Sequence, residues 1–182
     1  MCCTFNLNLE RQRIINKNEN MTSQQQKLWN DIKSFELDDP EISLSFTDRL
    51  ARENGWTMEY AVRTISEYKK FIFLLTIATH PLTPSDQVDQ VWHLHLLYTQ
   101  SYWEDFCEKI VKRKIHHGPT KGGENEKNKF TDWYEKTKQL YVDTFNTPIP
   151  SDIWPTSEIR FSEIEFERVN LKRNWIIKKP FV

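Results

Sequence analysis

Apolar residues recur every three or four positions in each long segment of the chain, and this spacing is typical of α-helices. The longest early run follows Thr57, a suitable N-cap, and extends from about residue 58 to residue 78. Its inward face is predicted to carry Ala61, Ile65, Tyr68, Ile72 and Leu75. The chain has only four glycines, so we expect an all-α fold, or one that is mostly helical, rather than a sheet with many tight turns.

Further helices are predicted on both sides of this run. Thr22 or Ser23 caps a first helix, which "DDP" ends by Pro40, and a short helix from about Phe46 stops at "ENG". An amphipathic helix over residues 126–145 is ended by "NTPIPSDIWP". We therefore expect five or six helices in one compact domain.

The middle of the chain carries two more helix starts. Thr83 as N-cap, Pro84 at the first helical position and Asp86 three residues after the cap predict a helix over residues 84–98. Proline suits this position because the first N–H groups of a helix have no partner within the helix.

A second helix follows closely. Ser101 and Glu104 form an S-x-x-E capping box, which predicts a helix over residues 102–113 after a turn near Thr99 and Gln100. The two helices would form an antiparallel hairpin at the centre of the fold.

In the C-terminal arm, residues 153–182, apolar and polar residues follow an alternating pattern more than a helical one, as in "EIRFSEIEF". This pattern predicts a short strand or an extended segment. Its aromatic residues are expected to pack on the helices: Trp154, Phe161, Phe166 and Trp175. Met21 opens "MTSQQQKLW" like a natural start, so residues 1–20 are expected to be a disordered extension and residues 21–182 a single domain.

Charge and cysteine content restrict the partners and the compartment. The 25 basic and 26 acidic residues are mixed along the chain, so no uniform field predicts nucleic acid or acidic lipid as a partner. Three cysteines, two of them adjacent, do not make a disulfide framework, which favours the cytoplasm. The longest apolar run, "FIFLLTIA", is too short to span a membrane.

All five histidines lie in one window of the sequence: His80, His93, His95, His116 and His117. On a helix, residues two apart point about 200° from each other, so His93 and His95 are not expected to share an ion. His95 falls on an apolar stripe with Val88, Val91 and Trp92. We expect it to be a buried, neutral imidazole whose nitrogens are hydrogen-bonded.

Asp89 and His93 are four positions apart and lie on one helix face. The hairpin would return "IHHGP" to this face, adding His116, His117 or both, with His80 as a further ligand. These nitrogen and oxygen ligands would suit zinc or another first-row divalent ion with an open position. The alternative is a hydrogen-bonded polar cluster that orders the loop.

Cys107 lies in the apolar context "YWEDFCEKI" and near the turn, which favours a small core residue over a nucleophile paired with a histidine. The motifs G-x-S-x-G, H-E-x-x-H and C-x-x-C are all missing from the sequence.

Two functions remain open on this basis. The first is a protein interaction module, in which aromatic residues of the C-terminal arm and the polar loop "GPTKGGENEKNK" meet another protein. The second is a metal-dependent hydrolase, in which an ion held by Asp89, His93 and His117 activates water.

"VDQVWHLHLLYTQSYWEDFC" with "IHHGPTKGG" resembles the bacterial glycine-rich domain-containing proteins, an uncharacterised family, from about Met21 through "DIWP" and "RNWII". The W-H-x-H core and its upstream acid, Asp89, are also similar to related plant proteins. Some family members continue into membrane helices and a glycine-rich tail. The resemblance implies that this chain, which stops at Val182, corresponds to their soluble N-terminal domain, and it implies no activity.

Overall fold

A computed structural model describes residues 21–118, 124–162, 169–170 and 172–177 of the protein. These residues contain seven helices and no strand, so the all-α prediction is confirmed. In chain order they are α1 (Ser23–Ser34), α2 (Phe46–Asn54), α3 (Met58–Ile77), α4 (Asp86–Leu97), a π-helix (Ser101–Val111), α5 (Glu124–Phe145) and α6 (Ser157–Arg160).

Local capping residues fix the start of α1, the end of α2 and the start of α3 where the sequence predicts them. The Thr22 hydroxyl accepts a hydrogen bond from the Gln25 amide at 3.2 Å, and the Gln25 side chain accepts one from the Thr22 amide at 2.8 Å. Gly55 ends α2 in the left-handed conformation with φ 67°, which glycine adopts at little cost. Thr57 caps α3 by accepting from the Tyr60 amide at 3.2 Å.

Helix α1 ends at Ser34, well before the predicted stop at Pro40. The reason lies in a contact across the following loop. The Asp38 carboxylate accepts hydrogen bonds from the Thr47 amide at 2.8 Å and from the Thr47 hydroxyl at 2.6 Å. This pair holds the loop against the start of α2, so the chain leaves the helix early.

Helix α3 is the central element, because it contacts α1, α2, α4 and α5. Its C-terminal half is buried around most of its circumference rather than along one stripe. The buried residues of the helix are Ala61, Thr64, Glu67, Tyr68, Phe71, Ile72, Phe73 and Leu74. A helix apolar on most sides belongs in the middle of a bundle.

The buried carboxylate of Glu67 joins three elements. It accepts hydrogen bonds from Trp154 Nε1 at 3.0 Å, from the Tyr141 hydroxyl at 3.2 Å and from Lys70 Nζ at 2.8 Å. The ammonium of Lys70 also contacts the Tyr141 hydroxyl at 2.7 Å. The carboxylate therefore lies against a cation and two neutral donors, which compensate for its loss of hydration.

Helix α4 starts two residues later than predicted, because Ser85 and not Thr83 is its N-cap. The buried Ser85 hydroxyl accepts a hydrogen bond from the Val88 amide at 3.2 Å, and the helix begins at Asp86. The amide of Thr83 instead donates to the Thr137 hydroxyl of α5 at 3.0 Å. This tertiary hydrogen bond keeps Thr83 in the extended segment that precedes the helix.

The predicted α-helix over residues 102–113 is a π-helix of 11 residues, Ser101–Val111. Between α4 and the π-helix, Tyr98 alone departs from helical geometry, with φ −87° and ψ 65°. The predicted capping box is wrong, because no side chain caps this helix and the Ser101 hydroxyl bonds to His95 instead.

The spacing of buried residues agrees with the π geometry. Tyr102, Phe106, Cys107 and Val111 are buried, and they recur at intervals close to the roughly 4.4 residues per turn of a π-helix. An α-helix would also place apolar residues of this segment on one face, namely Trp103, Phe106, Cys107, Ile110 and Val111, so the sequence pattern alone does not distinguish the two helix types.

The C-terminal arm packs through its first part. Trp154 is buried, and Phe161 meets the Tyr134 ring at a centroid distance of 5.8 Å. Phe166 lies outside the described residues. The prediction that Trp175 packs on the helices is wrong, since it is 95% exposed.

Trp154 is the aromatic residue of the arm that lies deepest in the core among the described residues. The Trp154 ring contacts Phe71 of α3 and Tyr134 and Tyr141 of α5. Helix α6 takes the place of the predicted strand at residues 157–160. Within the described part of the chain, no helix has the length and apolar character needed to cross a bilayer.

Candidate metal centre

Asp89, His93 and His117 meet at one point on the surface of α4. His117 Nε2 lies 2.7 Å from Asp89 Oδ1, and His93 Nε2 lies 3.8 Å from Asp89 Oδ2. One ligand atom from each of the three residues lies within 4.8 Å of the other two. Two of these residues come from adjacent turns of α4 and the third follows the π-helix, so the site depends on the return of the chain.

The three side chains differ in exposure. Asp89 and His117 are each 17% exposed, whereas His93 is 52% exposed. The ring centroid of His117 lies 4.6 Å from that of His93 and 4.4 Å from that of Trp92, whose plane is inclined at 68° to the imidazole. The group therefore has a sheltered side formed by Trp92 and an open side at His93.

A chain of hydrogen bonds holds the backbone that leads to His117. Trp92 Nε1 donates to the Tyr102 hydroxyl at 2.9 Å, and that hydroxyl donates to the carbonyl of Ile115 at 2.6 Å. Burial raises the pKa of Tyr102 above its ordinary value, so the phenol stays a neutral donor. Tyr102 thus fixes the chain two residues before His117.

Sequence reasoning missed Trp92 and Tyr102 as positioning residues. Both have a polar atom on a large apolar ring, and such rings usually find a hydrogen-bond partner when buried. Their spacing of ten residues could have suggested a pair across the predicted hairpin, but the choice of the Ile115 carbonyl as the third member depends on tertiary structure.

His95 is the buried, neutral imidazole that its position on the apolar stripe predicts. It is fully buried, and its Nδ1 and Nε2 form hydrogen bonds with the Tyr68 hydroxyl at 2.8 Å and the Ser101 hydroxyl at 3.2 Å. Burial lowers the pKa of His95 to about 3. It points away from His93, as two positions on one helix require.

The other two histidines lie outside this group among the described residues. His116 is exposed and lies against the Trp103 ring at a centroid distance of 5.6 Å. His80 Nδ1 contacts the carbonyl oxygen of Pro81 at 3.1 Å. Of the adjacent pair after the π-helix, only His117 contacts Asp89.

Cys107 is a buried free cysteine within the hydrophobic core. Burial raises the pKa of its thiol, which disfavours the thiolate that a nucleophile or a metal ligand would need. The thiol therefore acts as a core side chain, as the apolar context predicts.

The distances from Asp89 to the two histidines are close to the ligand–ligand distances of a tetrahedrally coordinated metal ion. Ligand atoms about 2.0–2.1 Å from zinc lie roughly 3.3 Å from each other. The 2.7 Å contact between His117 and Asp89 would have to widen, and the 3.8 Å contact between His93 and Asp89 would have to narrow. Each of these two distances changes by less than 1 Å by this estimate.

Three protein ligands leave at least one coordination position unfilled in a tetrahedral site. The open side of this group is at His93, which is 52% exposed. Two imidazoles and one carboxylate suit zinc and neighbouring first-row ions better than magnesium or calcium, which prefer sets of oxygen atoms.

Comparison with known proteins gives a family and a distant relative. The chain is 26% identical over 88 residues to glycine-rich domain-containing protein 1 of Arabidopsis thaliana. The aligned residues make up 46% of this chain and 11% of that protein. The alignment thus spans about a tenth of the relative's length. No solved structure matches the chain. The family model described as UCP032817-like matches residues 10–132, more than half of the sequence, and the protein belongs to this UCP032817-like family.

Proposed function

We propose that the protein binds a divalent first-row metal ion, zinc in the first place, through Asp89, His93 and His117. The observation that carries the proposal is the convergence of one carboxylate and two imidazoles within 4.8 Å. The contact between Asp89 and His117 also forms a good hydrogen bond without an ion. Metal binding would replace the proton between them by an ion that both side chains share.

The bound ion would tie the segment after the π-helix to α4. Because His117 and Asp89 are 28 residues apart in the chain, the ion would close a long loop and stabilise the returning segment. We assign to this metal-bearing domain the role of an interaction module. The support is the Trp175 segment, residues 172–177, where every described side chain is exposed.

A metal-dependent hydrolase is the second candidate, and the exposure of His93 favours it. An ion at this site would supply Lewis-acid chemistry, including the activation of water as a nucleophile. Asp89, His93 and His117 would then hold the ion, and the sheltered face at Trp92 would limit the directions of approach.

Metal analysis of the full chain purified without an affinity tag tests the proposal. We expect about one zinc or other first-row ion per chain after purification or after titration with zinc, and a higher melting temperature with metal. His117→Ala should abolish both effects. His116→Ala is the matched control, because the neighbouring exposed imidazole contacts Trp103 and not Asp89. A protein that binds no stoichiometric metal would contradict the site.

Assays of ester and phosphate-ester hydrolysis with the metal-loaded protein separate the two roles. Turnover that disappears in His117→Ala but persists in His116→Ala would favour the hydrolase. Metal binding without turnover would favour the interaction module.

The wider setting is also a proposal. We propose a bacterial, cytoplasmic protein, in which residues 21–182 form one domain after an extension. The buried free thiol of Cys107 supports a reducing compartment. Limited proteolysis that leaves a stable fragment beginning near residue 21 would support the boundary, and a stable fragment that includes residues 1–20 would contradict it.

A further inference from the structure

A short turn presents the Trp175 segment to solvent. The carbonyl of Asn170 accepts hydrogen bonds from the amides of Arg173 at 3.0 Å and Asn174 at 3.1 Å, and its side chain accepts from the Lys172 amide at 2.9 Å. The three residues after the turn are the most exposed apolar group of the described chain: Trp175 at 95%, Ile176 at 68% and Ile177 at 87%.

Cations flank this apolar group on both sides. Lys172 and Arg173 are exposed in the turn before Trp175, and the sequence continues with Lys178 and Lys179 after Ile177. No aspartate or glutamate occurs between Asn170 and Val182. Residues 170–182 therefore contain four basic and no acidic side chains, although the formal net charge of the protein is −1.

We propose that the Trp175 segment binds an anionic membrane surface. Tryptophan favours the level of the lipid headgroups, where the ring is apolar and the indole N–H stays hydrated, and isoleucine can enter the acyl boundary. Juxtaposed lysines and arginines attract anionic headgroups within a Debye length of about 8–10 Å. A local basic cluster therefore suffices, whatever the net charge of the whole chain.

Charge selects a lipid surface over a protein partner here. The centre of a protein interface is usually depleted in lysine, whereas this segment has basic residues directly beside its apolar residues. That arrangement matches the two-part recognition of an anionic bilayer, in which weak apolar insertion and weak electrostatic attraction add. The inference rests on the proposed role of the Trp175 segment as the interaction site and is independent of the metal.

Sedimentation of the full chain with lipid vesicles tests the inference. We expect binding to phosphatidylcholine vesicles that contain about 30% phosphatidylserine and little binding to phosphatidylcholine alone. Lys172→Glu with Arg173→Glu should weaken binding by about 25-fold or more, because the loss of each cation accounts for about five-fold and the new carboxylates add repulsion. Salt at about 0.5 M should also weaken it, because the Debye length falls to a few ångströms.

The apolar part has its own variant and both parts have matched controls. Trp175→Ala with Ile177→Ala should lower vesicle binding about ten-fold or more. Met58→Ala with Val62→Ala removes two exposed apolar residues of α3 and should leave binding unchanged. Lys27→Glu with Arg52→Glu makes the same change in net charge at exposed positions elsewhere and should also have little effect.

Three results would overturn the inference: no binding to the anionic vesicles, equal binding to neutral vesicles, or equal losses in the variants and their controls. The first would leave a protein as the partner of the Trp175 segment. Metal content and its dependence on His117 are measured separately, so failure of the membrane inference and failure of the metal proposal are distinguishable.

Discussion

His93 and His95 are two positions apart in α4, yet one imidazole lies beside Asp89 at the surface and the other is fully buried against Tyr68. The helix separates their environments because each residue rotates the side chain by about 100°. A single turn of helix thus holds a candidate metal ligand and a core hydrogen-bonding residue, and substitutions at the two positions should have different effects.

His93→Ala should lower metal content and remove the stabilisation by metal, because it deletes a ligand while leaving the core intact. His95→Ala should leave the metal stoichiometry unchanged and lower the free energy of unfolding by about 2–4 kcal/mol, since it opens a cavity and leaves the Tyr68 hydroxyl without its partner. Metal analysis and urea unfolding of both variants measure these effects. Loss of metal in His95→Ala but not in His93→Ala would contradict the assignment of the helix faces.

Acid should destabilise the protein through His95. The unfolded chain binds a proton at His95 below a pKa of about 6.5, whereas burial keeps the folded-state pKa at about 3. Stability from this residue is therefore complete above pH 6.5 and falls as the pH is lowered towards 3. Between pH 7 and pH 5 the expected loss is about 2 kcal/mol.

His95→Gln keeps hydrogen-bonding capacity at this position without titration, so its free energy of unfolding should depend less on pH in the same range. His80→Gln is the control, because the His80 ring contacts only the neighbouring Pro81 carbonyl among its described hydrogen bonds. Urea unfolding at several pH values gives the comparison. Identical pH dependence in wild type and His95→Gln would show that His95 is not the residue responsible.

The two ends of the C-terminal arm should differ in their effect on stability. Phe161→Ala should lower the free energy of unfolding by about 1–3 kcal/mol, because its ring packs on Tyr134 and the core. Trp175→Ala should leave the melting temperature unchanged within experimental error, because the side chain is 95% exposed. Thermal unfolding followed by circular dichroism distinguishes the two. A large loss in Trp175→Ala would mean that its ring is covered in solution.

Glu67→Ala should be among the most damaging substitutions in the bundle. It would leave the Lys70 ammonium without its carboxylate and the buried Trp154 N–H without an acceptor, at an expected cost of about 3–5 kcal/mol. Glu59→Ala, at an exposed position of the same helix, should cost no more than about 0.5 kcal/mol. Equal losses measured by urea unfolding would rule out a special role for the buried network.

The sequence predicted helix ends correctly where the capping contacts join residues that are close together in the chain. Thr22 and Thr57 bond to amides three residues ahead, and Gly55 needs only its own backbone freedom, so all three could be predicted from the sequence. The start of α4 could not, because the amide of Thr83 has its partner on α5, at Thr137. Tertiary contacts decide such positions, and no short window of sequence contains both partners.

The candidate site was predictable in its composition and only partly in its geometry. Asp89 and His93 follow from helical spacing, and the return of the chain predicts a histidine from the following segment. The choice of His117 over His116 depends on how the backbone leaves the π-helix and on the hydrogen bond from Tyr102 to Ile115. The α-helical spacing of apolar residues in the sequence predicts neither the π-helix nor this hydrogen bond.

The π-helix also makes the site sensitive to insertions and deletions. Eleven residues complete about two and a half turns in π geometry but about three turns in α geometry. Conversion of Ser101–Val111 to an α-helix would therefore rotate the following backbone by about half a turn and carry the imidazole of His117 away from Asp89. In related chains with one residue fewer between Ser101 and Val111, we expect this segment to remain helical. The third metal ligand would then have to come from a position other than that of His117.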